Sequence, residues 1–153
     1  MTTPTHIVFG ATGGIGAALC RRLAAGGANL ILGARDHGKL ELLAAELSAH
    51  AIQVDATRSD QVEACLAESL VRYGRLDGVA HCVGSLLLKS AHLTTDEEWS
   101  ATLGTNLTSA FVVVRAATRT MKEGGSVVLV SSAAARVGLA NHEAIAAAKA
   151  GVI

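Results

Sequence analysis

Aromatic side chains are almost missing from this chain: one Trp, one Tyr and two Phe in 153 residues. With so few rings, the core has to come mostly from Ala, Leu, Val and Ile. Half of the residues are hydrophobic, which is enough for one sizeable core. Net charge is missing as well, with 13 basic and 13 acidic residues. No Lys/Arg cluster is interleaved with aromatics, which argues against nucleic acid as a partner. Cysteine is scarce, odd in number and scattered, at Cys20, Cys65 and Cys82. That excludes a disulfide framework and fits reduced thiols in or near the core of a cytoplasmic protein. The six histidines stand at no metal-ligand spacing from those thiols, so no metal site is expected. No run of about 18 apolar residues is there to span a membrane. The opening Met1-Thr2-Thr3-Pro4-Thr5-His6 lacks both the positive start and the long apolar run of a signal peptide. Repeats and Pro-, Gly- or Ser-rich linkers are absent, and the length suits a single domain, 1–153.

What is present is alternation. Strands are expected near 5–10, 28–34, 51–55, 76–83 and 125–131, and helices near 14–26, 38–49, 59–73 and 95–122. Runs such as Leu30-Ile31-Leu32 and Val127-Val128-Leu129-Val130 show no in–out pattern, as suits strands of a parallel sheet covered on both faces. Leu40, Leu43 and Leu47 share one helix face, and Val62, Leu66, Leu70 and Tyr73 share another. The Gly26-Gly27 pair stops the first helix. Strands alternating with helices imply right-handed crossovers, so the expected fold class is α/β, a doubly wound parallel sheet with helices on both faces.

The run 125–131 falls at or near a sheet edge, and a further helix begins near His142. The chain reaches Ile153 about two to three turns later. An apolar edge strand invites association unless something covers it. Another chain, a swapped element or a further C-terminal part is therefore expected to complete the sheet.

The stretch Ile7-Val8-Phe9-Gly10-Ala11-Thr12-Gly13-Gly14-Ile15-Gly16 reads as a strand, a tight glycine turn and a helix start. Such a turn lets the backbone approach a pyrophosphate while the free N–H groups of the helix face its charge. The spacing Gly10-x3-Gly14-x-Gly16 departs from the common G-x-G-x-x-G fingerprint. It resembles the variant of the short-chain dehydrogenases/reductases. That resemblance implies a Rossmann-like fold and hydride transfer between a nicotinamide and a carbonyl or alcohol. It implies cofactor contacts from Gly10, Thr12, Gly14, Ile15 and Gly16, and a homo-oligomer.

An acid about 20 residues past the glycines would favour NAD by holding the ribose hydroxyls. Here Ala34 and Arg35 occupy that place, and an arginine can pair a 2′-phosphate, so NADP(H) is favoured over NAD(H). Asp36, next in line, weighs the other way. Asp55 closes the third strand. The family resemblance gives it the adenine amine, and turn chemistry gives it a capping role; the residues leave both open.

Past the fourth strand, His81-Cys82-Val83-Gly84 stands where the family has Asn-Asn-Ala-Gly. Only Gly84 is kept, to admit the nicotinamide side closely, and His81 and Cys82 read as packing substitutes. By helical spacing Asn106 shares a face with Trp99, Leu103 and Ala110. The resemblance gives it the asparagine that orders water beside the active site. Ser132 and Lys149 match the family's serine and lysine. The lysine holds the nicotinamide ribose and lowers the pKa of a phenol that moves the substrate proton, and the serine positions the carbonyl. The phenol is missing: the Tyr-x-x-x-Lys motif reads Ile145-Ala146-Ala147-Ala148-Lys149. His142, one turn earlier, is a weak substitute. The expected catalytic set is Asn106, Ser132 and Lys149, acting on a small carbonyl or alcohol. An inactive dinucleotide-binding or scaffold protein of the same fold stays open beside it, as does a shortened copy of a longer enzyme.

Overall fold

A computed structural model describes residues 3–153; Met1 and Thr2, the start of the stretch read above for a leader, lie outside the described residues. Five parallel strands form one sheet in the order β3-β2-β1-β4-β5: β1 (Thr5–Phe9), β2 (Asn29–Ala34), β3 (His50–Gln53), β4 (Gly78–His81) and β5 (Ser126–Leu129). The helices between them are α1 (Gly14–Ala25), α2 (His37–Leu47), α3 (Ser59–Tyr73), α4 (Asp96–Leu103) and α5 (Ser109–Thr120), with α6 (Glu143–Ala150) last. This is the doubly wound Rossmann-like sheet expected from the alternation. From β1 the chain builds outward to β2 and β3, then crosses back to lay β4 on the other side. The order reverses beside β1, which opens a crevice beyond the carboxyl ends of β1 and β4.

Strand periodicity splits the core between two faces. Ile7, Phe9, Ile31 and Val79 point to one side and pack with Val62 and Leu66 of α3 and Val112 and Val113 of α5. Val8, Leu30 and Leu32 point to the other and pack with Cys20 of α1 and Leu40 and Leu43 of α2. Successive residues of β1 thus feed opposite layers, which is why its run is apolar without a break. Among the described residues no helix is long and apolar enough to cross a membrane. No group of three or more His, Cys, Asp or Glu that could hold a metal ion occurs among them either.

Three local expectations are corrected. The helix expected over 95–122 is interrupted at Gly104–Thr108 by a wide turn in which the Ser109 N–H bonds the carbonyl of Gly104, five residues back. The buried face of α3 is Val62, Cys65, Leu66 and Ser69, while Leu70 lies off it and is 43% exposed. The Gly26-Gly27 pair does end α1, with Gly26 as its helical cap and Gly27 the left-handed residue after it. The last strand does lie at the edge, but it spans only Ser126–Leu129 and Val128 is 57% exposed, so it is covered on one side alone.

Candidate functional site

The glycine turn joins β1 to α1 at the crevice. Gly10 has φ +75, and a Cβ there would stand 2.8 Å from the Cys82 carbonyl carbon, so the turn needs glycine on both counts. A Cβ on Gly16 would collide with the Gly10 carbonyl oxygen, which makes Gly16 the residue that lets α1 seat against the end of β1. Beside Gly14 the space is open. No side chain caps α1, and no acid sits in its first turn. Its leading N–H groups are therefore free to meet an anion at the positive end of the helix.

Two cavities meet at this turn. The first, of about 300 Å³, lies beyond β1 and β2 and is lined by Gly10, Thr12, Arg35, Asp55 and Gly84 among others. Arg35 is exposed. The neighbouring Asp36 caps α2, accepting the Lys39 N–H at 3.1 Å and pairing the Lys39 ammonium at 3.3 Å. Asp55 accepts from the Thr57 N–H at 2.9 Å and the Thr57 hydroxyl at 2.8 Å. The Thr57 N–H does most to hold its carboxyl below the ordinary carboxylate value, with the Arg35 and Arg58 charges adding to it. Asp55 thus does the turn-forming task while standing on the cavity wall.

The second cavity, of about 360 Å³, is lined by Gly14, Ile15, Gly84, Asn106, Ser132 and Lys149, with Ile145 in its wall. Gly13, Cys82, Val83 and Gly84 border both cavities. Ser132 stands past the end of β5, and its hydroxyl accepts the Ala134 N–H at 3.2 Å. Lys149, on α6, is buried; its Nζ donates to the Val130 carbonyl at 2.9 Å. The Ser131 hydroxyl donates to the Lys149 carbonyl at 2.8 Å, tying α6 to the strand end. Burial pulls the Lys149 ammonium below the ordinary lysine value. A Cβ on Gly84 would come within 3.1 Å of Asn106 Oδ1 and 3.5 Å of Lys149 Nζ, so glycine leaves the space between amide and ammonium open. Ile145 is buried beside them and offers no proton.

Asn106 is fully buried and fully engaged. Its Nδ2 donates to the Thr102 carbonyl and to the Ser85 hydroxyl, each at 3.0 Å, and its Oδ1 accepts the Ser85 N–H at 3.1 Å. The expected shared face with Trp99 does not exist: the wide turn shifts the helical register, and Trp99 is 41% exposed. Next to the site, His81 is 2% exposed, and its Nε2 bonds the Ser109 hydroxyl at 2.9 Å. Its Nδ1 has no hydrogen-bond partner. A bare buried acceptor of this kind costs about 1–3 kcal/mol. Burial, with the Lys149 charge as a smaller contribution, pushes the His81 pKa down to about 4, so the ring is neutral at pH 7.

The structure gathers Gly10, Thr12, Arg35, Asp55 and Gly84 around one cavity and Gly14, Ile15, Gly84, Asn106, Ser132 and Lys149 around the adjoining one. Gly16 lines neither; it works from beneath, by packing. His142 bonds its own neighbour, the Ala140 carbonyl, at 2.8 Å and lines neither cavity. Sequence reasoning passed over Ser85 and Thr105. Position next to Gly84 and Asn106 was the only signal for either.

Known proteins share this fold. Among curated relatives, L-rhamnose 1-dehydrogenase (NAD(P)(+)) of Azotobacter vinelandii is 35% identical over 161 residues, covering 97% of this chain and 63% of that protein. A short-chain dehydrogenase from Streptomyces avermitilis superposes with TM-score 0.91 at 29% identity, covering 99% of this chain and 57% of that one. An actinorhodin polyketide ketoreductase variant with NADPH gives TM-score 0.93 at 28% identity, covering 99% and 63%. The chain thus spans about three fifths of the length of such relatives. The short chain dehydrogenase family model matches residues 4–153, and the chain belongs to that family.

Proposed function

We propose that the chain is the dinucleotide-binding domain of an NADP(H)-dependent oxidoreductase acting on a small carbonyl or alcohol. Family membership implies a dinucleotide cofactor. The observation that carries the reading is the pair of adjoining cavities at the switch point, one walled by Arg35 and Asp55, the other by Asn106, Ser132 and Lys149. The residues fit such a group. The open first turn of α1 accepts a pyrophosphate, and the Cβ-free wall at Gly84 admits a flat ring. Gly10, Thr12, Gly14, Ile15 and Gly16 form or support the phosphate cradle.

Arg35 favours a 2′-phosphate because its guanidinium is exposed on the cavity wall. Asp36, the residue that weighed against it, is occupied in capping α2. Asp55 sits where an adenine amine finds an acceptor. When bound, the nicotinamide supplies or takes the hydride. Lys149 holds a positive charge where ribose hydroxyls need a donor, Ser132 orients the substrate oxygen, and Asn106 fixes the backbone around Gly84.

One observation favours a second reading. Ile145 takes the place that the family resemblance gives to the proton-moving tyrosine. Tyr73 is no substitute, because it lines a groove with Gly74, Asp77 and Gly124 at the opposite ends of the strands. A protein that binds the dinucleotide without turning it over fits that wall equally. Spectrophotometric NADPH oxidation with small ketones and aldehydes separates the two. Turnover that Lys149→Met abolishes supports the reductase; tight binding without turnover supports the silent binder. Self-association is part of the same proposal, with Val128 exposed on the edge strand. The free cysteines suit a reducing, cytoplasmic setting.

A further inference from the structure

The functional reading leaves one buried polar pair unused. His81 ends β4 directly before the Cys82–Gly84 rim, yet it lines neither cavity. The Ser109 hydroxyl donates its single proton to the Thr105 carbonyl at 2.5 Å. Toward His81 that oxygen can only accept, so Nε2 carries the ring proton and donates it at 2.9 Å. The bare Nδ1 is then the atom left without a partner.

The Thr105 carbonyl is the one that regular helical geometry would have given to the Ser109 N–H. In the wide turn that N–H goes to Gly104 instead. The Ser109 hydroxyl takes over the vacated carbonyl, and the imidazole fixes the direction of the hydroxyl. Asn106 is the next residue in the same turn. Its carboxamide reaches both the N–H and the hydroxyl of Ser85, immediately past Gly84.

We propose that His81, acting through Ser109, is a positioning residue that stabilises the wide turn at Gly104–Thr108 and so aims Asn106 at the Gly84–Ser85 rim of the cofactor site. This rests on the reading of Asn106 given above. It accounts for a histidine at a buried position where an apolar side chain would leave no orphaned nitrogen: leucine has no proton to donate to Ser109. Glutamine has one, on an Nε2 that reaches about as far as the imidazole Nε2.

The test is amide hydrogen exchange by NMR on the full chain, comparing wild type with His81→Leu, His81→Gln and Ser109→Ala. The Ser85 N–H is the direct reporter, because its acceptor is Asn106 Oδ1. In His81→Leu and Ser109→Ala its exchange is expected to quicken by about tenfold, while Val79 and Ala80 in β4 keep their protection. In His81→Gln it is expected to stay within about twofold of wild type. Unchanged Ser85 protection in Ser109→Ala overturns the proposal, as does an equal loss at Val79, Ala80 and Ser85. Should His81→Leu fail to fold, Ser109→Ala and His81→Gln carry the test unaided. Calorimetry of the wild type with NADPH separates the two layers. Selective loss at Ser85 in a protein that binds no dinucleotide overturns the reading of the site and keeps the positioning role. Normal binding with unmoved Ser85 protection does the reverse.

Discussion

At position 145 the difference between isoleucine and tyrosine is one hydroxyl with a titratable proton. Ile145 is buried on the wall that Ser132 and Lys149 share. Ile145→Tyr puts a phenol one helical turn from Lys149, on the same face. If the site is read correctly, carbonyl reduction rises by about a hundredfold or more in the variant, the low end of what a placed general acid supplies. An unchanged rate in a folded variant that still binds NADPH counts against the assignment of the site. His81 makes a separate claim at this scale. Its pKa is about 4 in the folded chain against about 6.5 when free. Between those values the unfolded chain binds more protons, so stability falls as the pH drops from 6.5 towards 4, by roughly 3 kcal/mol in all. His81→Gln lacks this titration. Urea unfolding at pH 7 and pH 4.5 is expected to show the wild type losing more stability than the variant; parallel losses contradict the claim.

Between residue and molecule stand the elements, and here the sequence was legible in part. Five strands and their order of appearance followed from apolar runs alternating with 3.6-residue stripes. The wide turn at Gly104–Thr108 did not, because one inserted residue barely disturbs the apolar pattern while shifting every later side chain around the axis. Leu70 failed for a related reason, since periodicity cannot tell which edge of a broad stripe meets the sheet. Strand ends came out shorter than the apolar runs because buried chain continues past the regular ladder, as at Val54, which lies beyond β3 with its N–H on the Ala34 carbonyl. Of the site, the glycines and the positions of Ser132 and Lys149 could be read. The pairing of His81 with Ser109 could not, as it joins residues 28 apart through the fold.

Two expectations belong to elements. Gly16→Ala drives a methyl group into the Gly10 carbonyl and is expected to cost about 1–3 kcal/mol by overpacking, read from urea unfolding, and to weaken NADPH binding with it. A neutral outcome in both would remove the seat of α1 from the account. Val128→Lys charges the exposed edge of β5. Stability is expected to change by less than about 0.5 kcal/mol while concentration-dependent association drops, as light scattering would show. Association that ignores the lysine places the contact elsewhere.

At the scale of the whole molecule the sheet explains why these residues meet at all. Gly10 follows β1, Arg35 follows β2, Asp55 lies past β3, Gly84 past β4 and Ser132 past β5. Five strand ends in one parallel sheet face the same way, and the reversal of order beside β1 leaves a crevice that all five border. Asn106 and Lys149 enter from the helices that close the crevice from the β5 side. The core needs few aromatics for this: Phe9 is the one ring that β1 contributes, and β-branched and aliphatic side chains supply most of the rest on both faces.

The measurement that tests the central claim most directly is a calorimetric titration of the folded protein with NADPH and, in parallel, with NADH, repeated on Arg35→Glu. The expected result is binding of NADPH at least about tenfold tighter than NADH in the wild type, with the preference lost or inverted in the variant. A wild-type preference for NADH removes Arg35 from the account and keeps the fold. Binding of neither nucleotide, by a protein with a native circular dichroism spectrum, contradicts the dinucleotide site itself.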